Sequence, residues 1–208
     1  MDSTFRSSLN RSSYKPEAGR RPVKTVGVLA LQGDFEAHCR MLESLGVTST
    51  EVRTASDLAA CDGLILPGGE STTMLKLLDL EGLTEPLRSF GKTKPIYGTC
   101  AGAILLAKAV THPVQASFGL MDLDVERNGY GRQIDSRVVK LATEDGSTCE
   151  AVFIRAPIIR RVGKTARVLA SYQGDPVWVE DGLHMVTTFH PELTKDLSIH
   201  RRFCENLR

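Results

Sequence analysis

The stretch Pro95-Ile96-Tyr97-Gly98-Thr99-Cys100-Ala101-Gly102-Ala103-Ile104 decides how this chain is read. A short apolar run enters a cysteine and small residues leave it, a pattern that predicts a buried strand turning directly into a helix with the sulfur at the turn. Gly98 and Gly102 flank Cys100 at two residues on either side, the spacing of a nucleophile elbow with sulfur in place of a serine hydroxyl. A turn of this kind holds its nucleophile on strained backbone, and a side chain at either flanking position should collide with the strand or helix packed beside it. The helix that follows offers unpaired N–H groups and its positive dipole end, a setting that suits a reactive sulfur. A lone free cysteine is more often a buried structural residue. The chemical reading therefore depends on what the rest of the chain supplies.

Upstream of the elbow, Val23-Lys24-Thr25-Val26-Gly27-Val28-Leu29-Ala30-Leu31 is the nearly continuous apolar run of a central parallel strand covered on both faces. Asp34 is placed to cap a helix whose apolar positions Phe35, His38, Cys39, Leu42 and Leu45 recur at helical spacing until Gly46 ends it. A second strand (47–53), a helical turn (56–61) and a third strand (62–66) follow, so strand and helix alternate as in a parallel sheet. The third strand ends in Pro67-Gly68-Gly69-Glu70-Ser71-Thr72-Thr73, and a helix continues through Met74, Leu77, Leu78 and Leu80. Paired glycines at the carboxyl end of a strand let backbone come close to a ligand, and this is the end at which doubly wound sheets bind. Ser71 reads equally well as a helix cap. A further helix is expected over 83–90, and the elbow helix over 101–110. Beyond it the pattern becomes strand-rich (121–126, 136–141, 150–154, 167–171, 176–180 and 184–189), with antiparallel strands extending or overlying the parallel sheet. Asp196 opens a last amphipathic helix bearing Leu197, His200, Phe203 and Leu207.

The whole chain has 208 residues, 41% hydrophobic and 25% charged, enough for one globular α/β domain. Residues 1–22 are rich in Ser and Arg and lack apolar periodicity, so they read as a disordered extension ahead of a domain spanning 23–208. Asp2 and Glu17 weaken a transit-peptide reading of that segment. The net charge of +1 gives no reason to expect nucleic acid as a partner, and no apolar run is long enough to span a membrane. Five cysteines without a Cys-x-x-Cys pair point to a reducing, cytoplasmic setting rather than a disulfide framework or a zinc site.

A cysteine nucleophile needs a base to move its proton and a third group to orient that base. Thr188-Phe189-His190-Pro191-Glu192-Leu193 supplies both types, and residues two apart on a strand point the same way. Together, Gly98-Thr99-Cys100-Ala101-Gly102, Pro67-Gly68-Gly69 and His190-Pro191-Glu192 resemble the class I glutamine amidotransferases. A closer resemblance is to the glutaminase subunits of pyridoxal 5′-phosphate synthase. It is carried by Ala30-Leu31-Gln32-Gly33, Gly68-Gly69-Glu70-Ser71-Thr72-Thr73, Arg127-Asn128 with Gly131-Arg132-Gln133, Phe153-Ile154-Arg155-Ala156-Pro157 and Phe189-His190-Pro191-Glu192-Leu193-Thr194, and it covers about residues 24–208.

The resemblance implies a three-layer αβα, flavodoxin-like sandwich with a mixed, mainly parallel sheet. It implies Cys100 as nucleophile, His190 as proton shuttle and Glu192 as the group that orients His190, with hydrolysis of L-glutamine through a γ-glutamyl thioester. The N–H groups of Gly68-Gly69 and Ala101 would form the oxyanion hole. Gly69, Glu70, Ser71, Arg127, Ile154 and Arg155 would bind glutamine, which suits a zwitterion's need for one guanidinium and one carboxylate. No cofactor or metal is implied, and the implied partner is a separate, ammonia-accepting synthase subunit. The rival readings are an amidotransferase of another pathway, a cysteine hydrolase of the wider superfamily and a catalytically silent subunit that serves only assembly. His38, His112, His184 and His200 are each expected to be structural or at a subunit interface rather than catalytic. Cys39, Cys61, Cys149 and Cys204 have no base-like partner in the sequence.

Overall fold

In the computed structural model, which describes residues 24–127, 129 and 137–207, the apolar run after Val23 forms strand β1 (Thr25–Leu29), and helix α1 (Phe35–Ser44) follows. The chain then alternates through β2 (Thr48–Val52), α2 (Ala55–Ala59), β3 (Gly63–Leu66), α3 (Ser71–Leu80), α4 (Thr84–Gly91), β4 (Ile96–Thr99) and α5 (Ala101–Leu106). Strands β5 (Ala107–Thr111), β6 (Met121–Glu126), β7 (Arg137–Ala142), β8 (Thr148–Phe153) and β9 (Ile158–Val162) come next. After β10 (Arg167–Tyr172), β11 (Asp175–Asp181) and β12 (His184–Thr187) there is a 3₁₀ turn (Pro191–Leu193) and the last helix, α6 (Ser198–Glu205). The segment 1–22, read from sequence as disordered, lies outside the described residues, as do Asn128 and Gly131-Arg132-Gln133.

The central sheet has the order β10-β11-β12-β4-β3-β1-β2. Strands β2, β1, β3, β4 and β12 pair in parallel, and β11 and β10 add antiparallel at one edge. Both faces are covered, which is why the central strands read as apolar runs rather than as alternation. Leu64 and Leu66 of β3 face a layer built on Met74 and Leu78 of α3, Leu87 of α4 and Leu105 of α5. Ile65 and Tyr97 face the opposite layer, with Leu42 of α1 and Ile199 and Phe203 of α6. Burying each such side chain contributes about 1.5–3 kcal/mol relative to leaving it exposed.

Two local expectations change. The elbow helix, expected to reach residue 110, stops at Leu106, because Ala107 already pairs with Met121 in the parallel β5–β6 ladder. Strand β9 is not legible in the sequence, since Pro157 precedes it and Arg160 and Arg161 break its apolar pattern. It pairs with β6, and their polar faces are tied by Arg160–Glu126 and Arg161–Asp124 ion pairs. The strands after the elbow thus separate into the edge of the central sheet, a three-stranded sheet β5-β6-β9 and the β7–β8 hairpin.

Candidate active site

Cys100 occupies the bend between β4 and α5 with φ +48° and ψ −100°, a region side-chain-bearing residues rarely enter. Its N–H is held by Thr187 O of β12 at 2.8 Å. The flanking glycines are required by contact. A Cβ on Gly98 would lie 2.5 Å from the Gly102 carbonyl carbon, and one on Gly102 would lie 2.2 Å from the Leu66 carbonyl oxygen. The elbow can therefore press against β3 and bring the sulfur to the carboxyl edge of the sheet.

His190 reaches the sulfur differently from the strand geometry the sequence suggested. Strand β12 ends at Thr187, and His190 precedes the 3₁₀ turn, its N–H donating to Val152 O of β8 at 2.9 Å. Pro191 begins the turn with its fixed φ, and the turn folds Glu192 back so that Oε1 meets His190 Nδ1 at 2.8 Å. The Glu192 side chain is completely buried. With Nδ1 occupied, Nε2 is the nitrogen left to serve the Cys100 side chain, which lines the same cleft. Burial pushes the imidazole toward the neutral form, but its hydrogen bonds with Cys100 and Glu192 outweigh this and raise it to about 10. Burial instead pushes up the other four thiols, Cys149 and Cys204 to about 11.

The cleft above Cys100 and His190 is lined by Gly68 and by all six candidate glutamine-binding residues, Gly69, Glu70, Ser71, Arg127, Ile154 and Arg155. Glu70 rather than Ser71 is the N-cap of α3, accepting from Thr72 N at 3.1 Å and Thr73 N at 2.7 Å. Partial burial pushes its carboxyl upward, but hydrogen bonds from Thr73 and Thr72 prevail and hold it at about 2. The Arg127 guanidinium meets Glu70 Oε1 and Thr72 Oγ1, each at 3.0 Å. A fixed anion and a guanidinium thus stand side by side, the pair of charges that an α-amino acid zwitterion complements. Ser71 is buried and its hydroxyl donates to Gln115 Oε1 at 2.9 Å. Arg155 is exposed at the rim on a left-handed backbone, φ +44°.

Gly69 has φ +151°, and the Gly68 carbonyl oxygen fills the space that a side chain at Gly33 would take. Ala101 is buried beneath the cleft rather than on its lining, and as the first residue of α5 its N–H has no carbonyl within the helix. Sequence reasoning assigns Gln32 no role. It lines the cleft, packs on Gly69 and accepts from Glu70 N at 3.0 Å, buttressing the glycine loop. The signal for it is its place at the carboxyl end of β1. His38 is wholly buried behind Glu192, not at a surface.

A parallel sheet carrying a cysteine elbow, with a histidine and a carboxylate arriving from the neighbouring strand, defines the glutamine amidotransferase class. One solved glutamine amidotransferase superimposes with a TM-score of 0.82 at 44% identity, over 88% of this chain and 98% of that one. A GMP synthase component from Thermoplasma acidophilum, 19% identical, shares the fold with a TM-score of 0.64 over 90% and 94% of the two chains. The chain belongs to the SNO glutamine amidotransferase family, whose pattern matches residues 28–208. Similar proteins include the pyridoxal 5′-phosphate synthase subunits PdxT of Solibacter usitatus, 56% identical over 89% of this chain and 100% of its own length, and of Koribacter versatilis, 50% identical over 88% and 95%.

Proposed function

We propose that Cys100, His190 and Glu192 are the triad with which this chain hydrolyses L-glutamine to L-glutamate and ammonia, as the glutaminase subunit of pyridoxal 5′-phosphate synthase. The observation that carries the triad is the 2.8 Å contact of Glu192 Oε1 with His190 Nδ1 at the cleft that His190 and Cys100 line together. The Cys100 sulfur attacks the side-chain amide carbon of glutamine, and the negative charge on the amide oxygen is met by backbone N–H groups of Gly68-Gly69 and Ala101. His190 gives its proton to the departing nitrogen, so ammonia leaves and a γ-glutamyl thioester remains. His190 then takes a proton from water, whose oxygen attacks the thioester carbon. The C–S bond breaks, glutamate forms and the sulfur is restored. Glu192 holds the imidazole in one orientation throughout.

Ammonia is the useful product, passed to a synthase subunit that builds pyridoxal 5′-phosphate in the vitamin B6 pathway. All five cysteines are free, which supports work in a reducing cytoplasm. Among the described residues no helix is long and apolar enough to cross a membrane. The test is glutamate release at saturating glutamine with the synthase subunit present. Cys100→Ala and Cys100→Ser should each retain the wild-type melting temperature and fall below about a hundredth of wild-type turnover, the scale expected for removing a covalent nucleophile. Turnover above that level in either folded variant would remove Cys100 from the mechanism.

A further inference from the structure

Behind the triad lies a buried line of polar groups that the reaction as written does not use. His38 of α1 is wholly buried, and its Nδ1 is 2.8 Å from Nε2 of His200, itself wholly buried on α6. Its other nitrogen, Nε2, is 3.3 Å from Thr99 Oγ1 and 3.6 Å from Glu192 Oε2. That carboxylate oxygen is buried and, among the described residues, has no hydrogen-bond donor within reach, and His200 Nδ1 is likewise buried without a hydrogen-bond partner among them.

The placement of two protons decides what this arrangement does. If His38 carried its proton on Nδ1, it would donate to His200 Nε2. His200 would then hold an N–H on Nδ1 facing nothing, and a bare His38 lone pair would face the Glu192 carboxylate. If His200 carries its proton on Nε2, it donates to His38 Nδ1 and leaves only a lone pair unmatched on its own Nδ1. His38 then carries its proton on Nε2, within hydrogen-bond distance of Thr99 Oγ1 and facing Glu192 Oε2 at 3.6 Å. Orphaned buried N–H groups are rarer and costlier than under-used acceptors, so the second arrangement prevails. Burial keeps both rings neutral: His38 is driven well below its ordinary value by burial and then by His200 and His190, and His200 falls to about 4 for the same first reason.

We infer that His38 is a positioning residue for the glutaminase reaction, its Nε2–H facing the outer oxygen of Glu192 at 3.6 Å and attracting it so that the inner oxygen stays on His190. The inference rests on the triad reading above. A neutral donor is the suitable group, because it fixes the carboxylate without cancelling the charge that His190 needs. Outer partners of metal-bound side chains typically contribute about 10- to 100-fold, and an outer partner of the triad carboxylate is expected on that scale.

The test uses two amides of different reach in the full-length chain with its synthase partner. His38→Gln places an N–H near the position of the ring Nε2, whereas His38→Asn ends near Nδ1, keeping a partner for His200 and losing the one for Glu192. Expected are a kcat within about threefold of wild type for His38→Gln and at least about tenfold lower for His38→Asn, with the KM for glutamine unchanged in both. In a Glu192→Gln background His38→Asn should add no further loss. The reverse ranking of the two amides, or a full additional loss in that background, overturns the proposal. An unimpaired Glu192→Gln enzyme would instead overturn the triad reading. Should either variant fail to fold, nitrogen-15 spectra of the wild-type histidines decide: His38 protonated on Nε2 at neutral pH upholds the proposal, and protonation on Nδ1 overturns it.

Discussion

On the proposed mechanism His190 carries two demands that pull in opposite directions, since burial favours a neutral ring and departing ammonia needs a protonated one. The contacts with Cys100 and Glu192 settle this in favour of the protonated ring, at about 10. With a folded value raised above the ordinary imidazole value of about 6.5, the proton is in place at neutral pH and is lost only as pH rises through about 10. The alkaline limb of kcat/KM for glutamine is therefore expected close to about 10, and Glu192→Gln should move it toward neutrality. A wild-type limb near the ordinary imidazole value would show that the two contacts do not hold the proton. At this scale the sequence is informative where the chemistry demands a residue type at a short spacing, as with Cys100 between its glycines and His190 two positions before Glu192. It is silent on the contact of His38 with Glu192, which exists only after α1 and the 3₁₀ turn have packed on the same face of the sheet.

Elements are legible in proportion to how completely the sheet buries them. Strands β1, β3 and β4, covered on both sides, announce themselves as apolar runs, and α1 and α3 by their helical spacing. Strand β9 is hidden because its exposed face carries paired arginines, and β5 because Ala107-Lys108-Ala109 reads as helix until it pairs with β6. Gly102 shows how tightly two elements can be fitted. The atom its missing Cβ would strike is the Leu66 carbonyl oxygen, main chain in the middle of the parallel sheet and unable to swing aside. Gly102→Ala should destabilise the fold by about 1–3 kcal/mol in denaturant titration and lower glutamine turnover more than stability, because α5 must shift and carry Cys100 with it. A variant with wild-type stability and turnover would show that the elbow is looser than these contacts imply.

For the whole molecule, the family pattern begins at residue 28, and we propose that the segment before residue 23 makes no contribution to the fold. Removing residues 1–21 should leave the melting temperature and partner-dependent glutamine turnover unchanged, and a fall of several degrees would show that the segment docks on the domain. The contact between Gly68 and His190 has a consequence for the order of events. A Cβ on Gly68 would come within 2.3 Å of the ring's Cε1, so the imidazole packs closely on this glycine while Glu192 holds Nδ1. On the proposed mechanism, Glu192 keeps Nδ1, so a single nitrogen, Nε2, serves both halves of the cycle. Ammonia and the hydrolytic water would then use one place in turn, the first leaving before the second enters. On that mechanism, a partner that draws ammonia away would also clear the path for water.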